Sequence, residues 1–346
     1  MKFHIDIAPH TLHFKQPAGT SRGVYLTRKT WFVTLSSPQK PGVVGVGECA
    51  PLPNLSCDDL PNYEERLSQA CQRFCETGNI NYDELSPYPS IRFGLETALW
   101  QWQRNGSAAL SQTAFARGEM GIPINGLVWM GTFEEMAARI EEKLNLGFRC
   151  VKLKIGAIDF DRELQLLKDI RATFSPHQVE LRVDANGAFA PAEALSKLEK
   201  LAKLDLHSIE QPIAKGQWRE IAELCKRSPL PIALDEELIG VNTLDAKEEL
   251  LDTIAPQYLV LKPSLHGGIC GTKEWVALAK SRQMGSWITS ALESNVGLNA
   301  IAHLAAEVYG PQIDIPQGLG TGQLFTDNIA MPLQIKGDCL WFLPNS

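Results

Sequence analysis

Lys152 and Lys154 stand one residue apart, and after them come Asp184, Glu210, Asp235 and Lys262, each closing a short apolar run. The intervals are about 25 to 30 residues, the length of one strand, one helix and two connections. Polar residues that recur at this interval converge if the runs are parallel strands of one barrel, whose C-terminal ends meet on a single face. One acid at a strand end is usually a turn-former or a helix cap, so the argument rests on the ensemble. Three carboxylates brought to one point repel, and some stay protonated unless a cation joins them. An all-oxygen donor set favours magnesium, with manganese as a substitute, over zinc or copper. Side chains two apart share a strand face, so Lys152 and Lys154 point inward while Val151 and Leu153 pack outward, and the same parity puts Arg182 with Asp184. Inward lysines could merely pair within the barrel layers, but buried cations need a reason and a metal-bound anion supplies one.

The runs that carry these residues read as buried parallel strands: 150–155, 179–184, 207–210, 231–235 and 258–262 are short, apolar and polar-ended. Between them, Phe160, Leu164 and Leu167, then Leu195, Leu198 and Leu201, recur at helical spacing. Thr132 and Glu135 form a capping-box pattern before Met136, Ile140 and Leu144. Ile122-Pro-Ile-Asn-Gly126 is the expected first strand, Ser286-Trp-Ile-Thr289 the seventh and Gln312-Ile-Asp314 the eighth, with a helix after each of the first seven. The barrel is expected over residues 119–318. Residues 1–118, with strand-like runs Tyr25-Leu-Thr27 and Thr30–Leu35 and helical stretches near 59–76 and 90–105, read as an α+β domain. Residues 319–346 are expected to return to that domain. Gly19–Gly23 and Ala50–Asn54 look like mobile loops able to cover the barrel mouth.

With 346 residues, 44% hydrophobic and 21% charged, the chain suits an ordinary globular protein of two domains. A net charge of −7 without a basic stripe argues against nucleic acid as a partner. No apolar run approaches the roughly 18 residues that span a bilayer, and the N-terminus lacks a signal-peptide core, so a cytoplasmic location is expected. The cysteines show no metal-ligand spacing, and Cys71 and Cys75 read as packing residues. Gly42-Val-Val-Gly-Val-Gly47 has the wrong spacing for a nucleotide loop and reads as a hairpin or domain edge. His266 and His303 read as structural, and Ser290 has no His/Asp context to make it a nucleophile.

In order, Lys-x-Lys (152, 154), Asp-x-Asn (184, 186), Glu-Gln-Pro (210–212), Asp-Glu (235, 236) and the distal Lys262 resemble the muconate-lactonizing subgroup of the enolase superfamily over essentially the whole chain. The runs Ser90–Ala98, Arg182–Asn186, Ser290–Gly297 and Gln317–Gly322 make it most similar, within that subgroup, to the o-succinylbenzoate synthases of menaquinone biosynthesis. The resemblance implies a modified TIM barrel, (β/α)7β, under an N-terminal α+β capping domain completed by the C-terminal segment. It implies Asp184, Glu210 and Asp235 as magnesium ligands, Lys154 as the base, Lys152 as a charge stabiliser and Lys262 on the opposite face of a small carboxylate substrate. Asn186, Arg182, Ser290, Glu293 and Ser294 are the expected substrate contacts. Bases of this superfamily act on protons α to a carboxylate beside magnesium, which asks that a lysine be lowered from about 10.4 to roughly 7 or 8. Lys152, the metal and burial push that way and the carboxylates oppose. N-succinylamino-acid racemase and muconate cycloisomerase activities share the same residues. A dipeptide epimerase would add paired acids at the end of strand eight, which Asp314-Ile-Pro316 lacks. A Schiff-base aldolase would not need three carboxylates, and a noncatalytic relative would have lost some of the set. Glu237 departs from the serine common at that position in the subgroup.

Overall fold

A computed structural model describes residues 2–20, 23–128 and 132–344. The chain opens with an antiparallel sheet, β1 (His4–Thr20), β2 (Gly23–Ser36) and β3 (Val44–Cys49), backed by α1 (Tyr63–Thr77) and α2 (Pro89–Gln103). The glycines of β3 answer to packing: a Cβ on Gly45 would sit 2.0 Å from Ala98 O, and one on Gly47 1.8 Å from Gly94 O, so strand and α2 touch backbone to backbone. The two runs expected at Tyr25 and Thr30 are one strand, and β1, rich in alternating polar residues, is an additional partner. Of the expected loop at Gly19–Gly23, Gly19, Thr20 and Gly23 are paired residues of β1 and β2, and Ser21 and Arg22 lie outside the described residues. The loop at 50–54 is pinned rather than free. Arg28, itself buried, donates to Ala50 O at 2.6 Å and Pro51 O at 2.5 Å, and Tyr25 Oη donates to Pro53 O at 2.7 Å.

The barrel follows as strand–helix units. β4 (Ile122–Pro123) and β5 (Gly126–Val128) precede α3 (Phe133–Asn145), whose capping box between Thr132 and Glu135 forms as its residues predict. Then come β6 (Cys150–Lys154), α4 (Phe160–Thr173), β7 (Glu180–Asp184), α5 (Pro191–Ala202), β8 (Ser208–Glu210) and α6 (Trp218–Arg227). β9 (Ile232–Leu234), α7 (Leu244–Ile254), β10 (Tyr258–Leu261), α8 (Gly268–Ser281), β11 (Gly285–Ile288) and α9 (Asn295–Tyr309) complete the series. β5 to β11 form one parallel sheet in sequence order. Outward residues such as Val151, Leu153, Leu181 and Ile209 are buried against the helices in one continuous apolar core.

Three sequence expectations are corrected. The first strand is divided: Ile122–Pro123 pairs with the C-terminal hairpin, and only Gly126–Val128 enters the barrel sheet. Strand eight does not form at 312–314. Closure falls on Gln317 and Gly318, which bridge Ile124 and Thr289, and the Gln317 side chain accepts from Ile288 N at 2.6 Å and donates to Ile315 O at 2.6 Å. Gln312 and Asp314 are exposed and Pro316 has no N–H to give a ladder, so a side chain does what backbone pairing cannot. The C-terminal segment divides its contacts. Phe325 stacks on Phe14 of β1 and Lys15 N donates to Leu324 O at 2.8 Å, but the hairpin β12 (Leu333–Lys336) and β13 (Cys339–Phe342) pairs with β4, with Leu340 and Phe342 in the barrel core. The eight cysteines are free thiols.

Candidate active site

Register decides which side chains meet at the mouth. Lys154 lies opposite Asp184, and Asp184 opposite Glu210, so three charged residues occupy one rung at the C-terminal ends of β6, β7 and β8. Asp235 and Lys262 immediately follow β9 and β10. One rung below, Lys152, Arg182 and Ser208 are aligned, and Ala233, Val260 and Trp287 fill the interior from the far side. Lys152 is long enough to rise from the lower rung: its Nζ lies 2.8 Å from Asp184 Oδ2 and 2.6 Å from Glu210 Oε2. Lys154 Nζ donates to Asp184 Oδ2 and to Asn186 Oδ1, both at 2.7 Å, and Asn186 Nδ2 passes the chain on to Glu236 Oε1 at 2.9 Å. Across the mouth, Lys262 pairs with Asp235 Oδ2.

Burial and charge compete in this cluster. Burial works against ionising Asp184, but Lys152 and Lys154 together outweigh it and hold the carboxyl below its usual range. Lys262 does the same for Asp235. Glu210 and Glu236 go the other way: burial, reinforced by neighbouring carboxylates, raises both. Lys152 and Lys262 are pushed down by burial yet end above the ordinary lysine range because of their carboxylate partners. The carboxylates, expected to oppose any lowering of a lysine here, prevail over burial at these two.

The acids also carry unused capacity. Glu210 Oε1, Asp235 Oδ1 and Glu236 Oε2 are buried without a hydrogen-bond partner. Among the described residues no three His, Cys, Asp or Glu side chains stand close enough to clasp an ion as they are, because each of Asp184 and Asp235 is turned toward a lysine. Two of the orphaned oxygens, on Glu210 and Asp235, belong to the expected ligand set and lack what a hard cation supplies, so the donor set fits one.

The expected substrate contacts divide. Asn186 is at the mouth on Lys154. Arg182 is not: its guanidinium turns toward the start of the strand, donating to Glu180 Oε1 and Pro316 O at 2.9 Å and lying 4.6 Å from the Trp287 ring. Ser290, Glu293 and Ser294 are spent within the protein. Ser290 Oγ donates to Glu293 Oε2 at 2.5 Å, Ser264 Oγ to Glu293 Oε1, and Ser294 Oγ to Glu48 Oε2 at 2.6 Å while capping α9 through Val296 N. They shape the loop over the mouth rather than present free side chains. Glu48 also accepts from Ser294 N and Gly297 N, both at 2.9 Å, so a buried acid of β3 holds that loop from the other domain. From the sequence alone, Glu48 and Gln211 take no role of their own and His266 reads as structural. Only their position beside the motif residues, in Gly-Glu-Cys, Glu-Gln-Pro and Lys262–Gly268, could have drawn notice. His266 is fully buried, accepts from Lys262 N at 2.9 Å, and is held by burial at about 3.

A separate cavity of about 450 Å³ lies at the opposite, N-terminal strand ends, between α8, α9 and Gln312–Ile315. Its walls include Val276, Met284, Val308 and Ile313, and its charged groups, Lys280 and Asp314, lie in exposed residues. It lacks the converging acids and lysines that meet at the other face. Among the described residues no helix is long and apolar enough to cross a membrane.

Residues 135–337 match the family described as Enolase C-terminal domain-like, and residues 20–102 match the MenC N-terminal domain. The o-succinylbenzoate synthase of Desulfotalea psychrophila is 45% identical over 95% of this chain and 96% of its own. A crystal structure of MenC from the same organism superposes with a TM-score of 0.86 at 40% identity, covering 99% of this chain and 100% of the other. The L-Ala-D/L-Glu epimerase of Bacillus subtilis shares the fold, with a TM-score of 0.83 at 23% identity over 99% and 96% of the two chains. A barrel whose strand ends carry the lysines and acids in this order, under a MenC-type N-terminal domain and with these relatives along its length, belongs to the o-succinylbenzoate synthase family of the enolase superfamily.

Proposed function

We propose that the strand-end cluster carries out the syn-dehydration of 2-succinyl-6-hydroxy-2,4-cyclohexadiene-1-carboxylate to o-succinylbenzoate, a step of menaquinone biosynthesis. The observation that carries this is the rung Lys154–Asp184–Glu210, which sets a lysine beside two carboxylates in adjacent register. Asp184, Glu210 and Asp235 would hold magnesium, with manganese able to replace it; the orphaned oxygens of Glu210 and Asp235 support that assignment. When bound, the ion supplies Lewis-acid stabilisation of the negative charge that gathers on the substrate carboxylate.

Lys154 takes the proton α to the carboxylate, and Asn186 holds its Nζ in line. Loss of that proton shifts electron density toward the carboxylate. Return of the density into the ring expels the hydroxyl on the same face. Protonated Lys154 gives its proton to the departing oxygen, so water leaves, the ring becomes aromatic and the base is regenerated. Lys152, kept protonated by Asp184 and Glu210, offers a fixed cation to the charge that develops. Lys262, kept protonated by Asp235, presents its cation from the far side of the barrel, where it can face the ring.

Two lysines on opposite strands also suit a two-base racemase of N-succinylamino acids, and that is the second reading. An epimerase site is disfavoured by the position at which the barrel closes: the residues after it, Gly318 to Gln323, contain no acid. The test follows α-proton exchange in deuterated solvent for wild type and Lys154→Ala, with kcat/KM for the dehydration and for N-succinylamino-acid racemization. Lys154→Ala is expected to abolish exchange, and the wild type to favour dehydration. Wild-type exchange in the variant would remove Lys154 as base, and racemization at equal efficiency would make the protein a racemase.

A further inference from the structure

Glu237 lies two residues beyond Asp235, in the short 3-10 turn Glu236–Leu238, and is buried. Its carboxylate reaches sideways to the connection between β8 and α6. Oε1 accepts from Gly216 N and Trp218 Nε1, both at 2.8 Å, and Oε2 accepts from Gln211 Nε2 at 3.3 Å. Gln211 follows Glu210 in a left-handed conformation, φ +41°, which a non-glycine residue adopts at a cost. That turn aims its amide across to β9, where Oε1 accepts from Asp235 N at 3.3 Å and Glu237 N at 3.2 Å. The backbone oxygen of Gln211 accepts from Gly187 N at 2.6 Å, beyond the end of β7. One glutamine and one glutamate therefore tie together the ends of the strands that carry Asp184, Glu210 and Asp235.

Among the side chains themselves Lys152 bridges Asp184 and Glu210, whereas Asp235 is paired with Lys262. Glu210 and Asp235 each leave an oxygen unpaired. Like charges at the ends of neighbouring strands push those ends apart unless something behind them resists. Serine at 237 would carry its oxygen where glutamate has Cγ, two bonds short of the oxygen that meets Gly216 N and Trp218 Nε1, so glutamate is what closes the connection.

We propose that Glu237, acting through Gln211, is a positioning residue that fixes the separation of Glu210 and Asp235 and thereby sets the affinity of the three carboxylates for a divalent cation. The inference rests on the metal reading given above. Groups behind a ligand of this kind typically change metal affinity by about 10- to 100-fold when removed.

The test uses full-length protein stripped of metal by chelation and titrated calorimetrically with Mg2+ and Mn2+ in the absence of substrate. Wild type, Glu237→Ser, Glu237→Gln and Trp218→Phe are compared, with thermal melts and kcat and KM measured beside the titrations. Glu237→Ser is expected to bind either ion about 10- to 100-fold more weakly, with its kcat recovering as metal is raised. Glu237→Gln keeps an oxygen for Gly216 and Trp218 and should fall in between, and Trp218→Phe, which removes one donor, should show the smallest loss. If Glu237→Ser does not fold, that order in the other two carries the result. Metal affinity equal to wild type in the folded variants, whatever their melting temperature, overturns the proposal. A wild type that binds neither ion overturns the metal reading itself and the proposal with it.

Discussion

His303 offers a quantitative test of how the fold is held together. It sits on α9, fully buried, with ring contacts to Phe115 at 5.2 Å and Phe342 at 4.9 Å, and its Nδ1 is 3.0 Å from Ser111 Oγ. Burial holds its imidazole neutral, at about 3. In the unfolded chain the same group titrates near 6.5, so between those values the unfolded state binds one more proton than the folded state. The sign follows: the contribution is fully present above pH 6.5 and is lost as pH falls toward 3. By linkage the loss is about 0.2 kcal/mol at pH 7 and about 2 kcal/mol at pH 5. His303→Phe removes the titration and replaces the ring among aromatic neighbours. Its packing offset, of either sign, is independent of pH. Urea unfolding of both proteins at pH 7 and pH 5 should therefore show the variant gaining about 2 kcal/mol relative to wild type over that interval. Parallel pH dependences would refute the reasoning, because the imidazole would then titrate alike in both states.

Two further outcomes are expected. Asp184→Asn, Glu210→Gln and Asp235→Asn should each weaken Mg2+ binding and nearly abolish turnover, and normal affinity and rate in any two would remove the metal assignment. Glu48→Ala strips three hydrogen bonds from the Ser294–Gly297 turn; a loss of about 3 to 5 kcal/mol of stability is expected from denaturant melts, and less than about 1 would show that the turn holds itself.

The barrel and its charged rung were legible because the same signal repeats: an apolar run, a polar end, then a helical interval. Lys154, Asp184 and Glu210 fall in register as strand parity requires. Strand eight was not legible, because closure is made by two bridging residues and the Gln317 side chain, which leave no run to read. Ser290, Glu293 and Ser294 were recognisable as a motif but not by their partners, and Ser294's lies 246 residues away in Glu48. Arg182 had the right face and the wrong direction: parity gives the side of a strand, whereas Glu180 and Pro316 determine where the guanidinium turns.

Two helices late in the chain have their first N–H groups answered from its beginning. α8 follows Gly267, which has no side chain to cap it, and Glu96 of α2 accepts from Ile269 N at 2.5 Å and Cys270 N at 3.1 Å. Glu48 serves α9 in the same way through Gly297 N. On a ribosome, the N-terminal domain therefore emerges with two acids whose partners are still unmade, 173 and 249 residues downstream. Contacts of such sequence separation form slowly, and until they form both helix starts are exposed to water. The last quarter of the barrel should thus mature only once nearly the whole chain is made, and loss of the N-terminal domain would leave the starts of α8 and α9 without these acceptors.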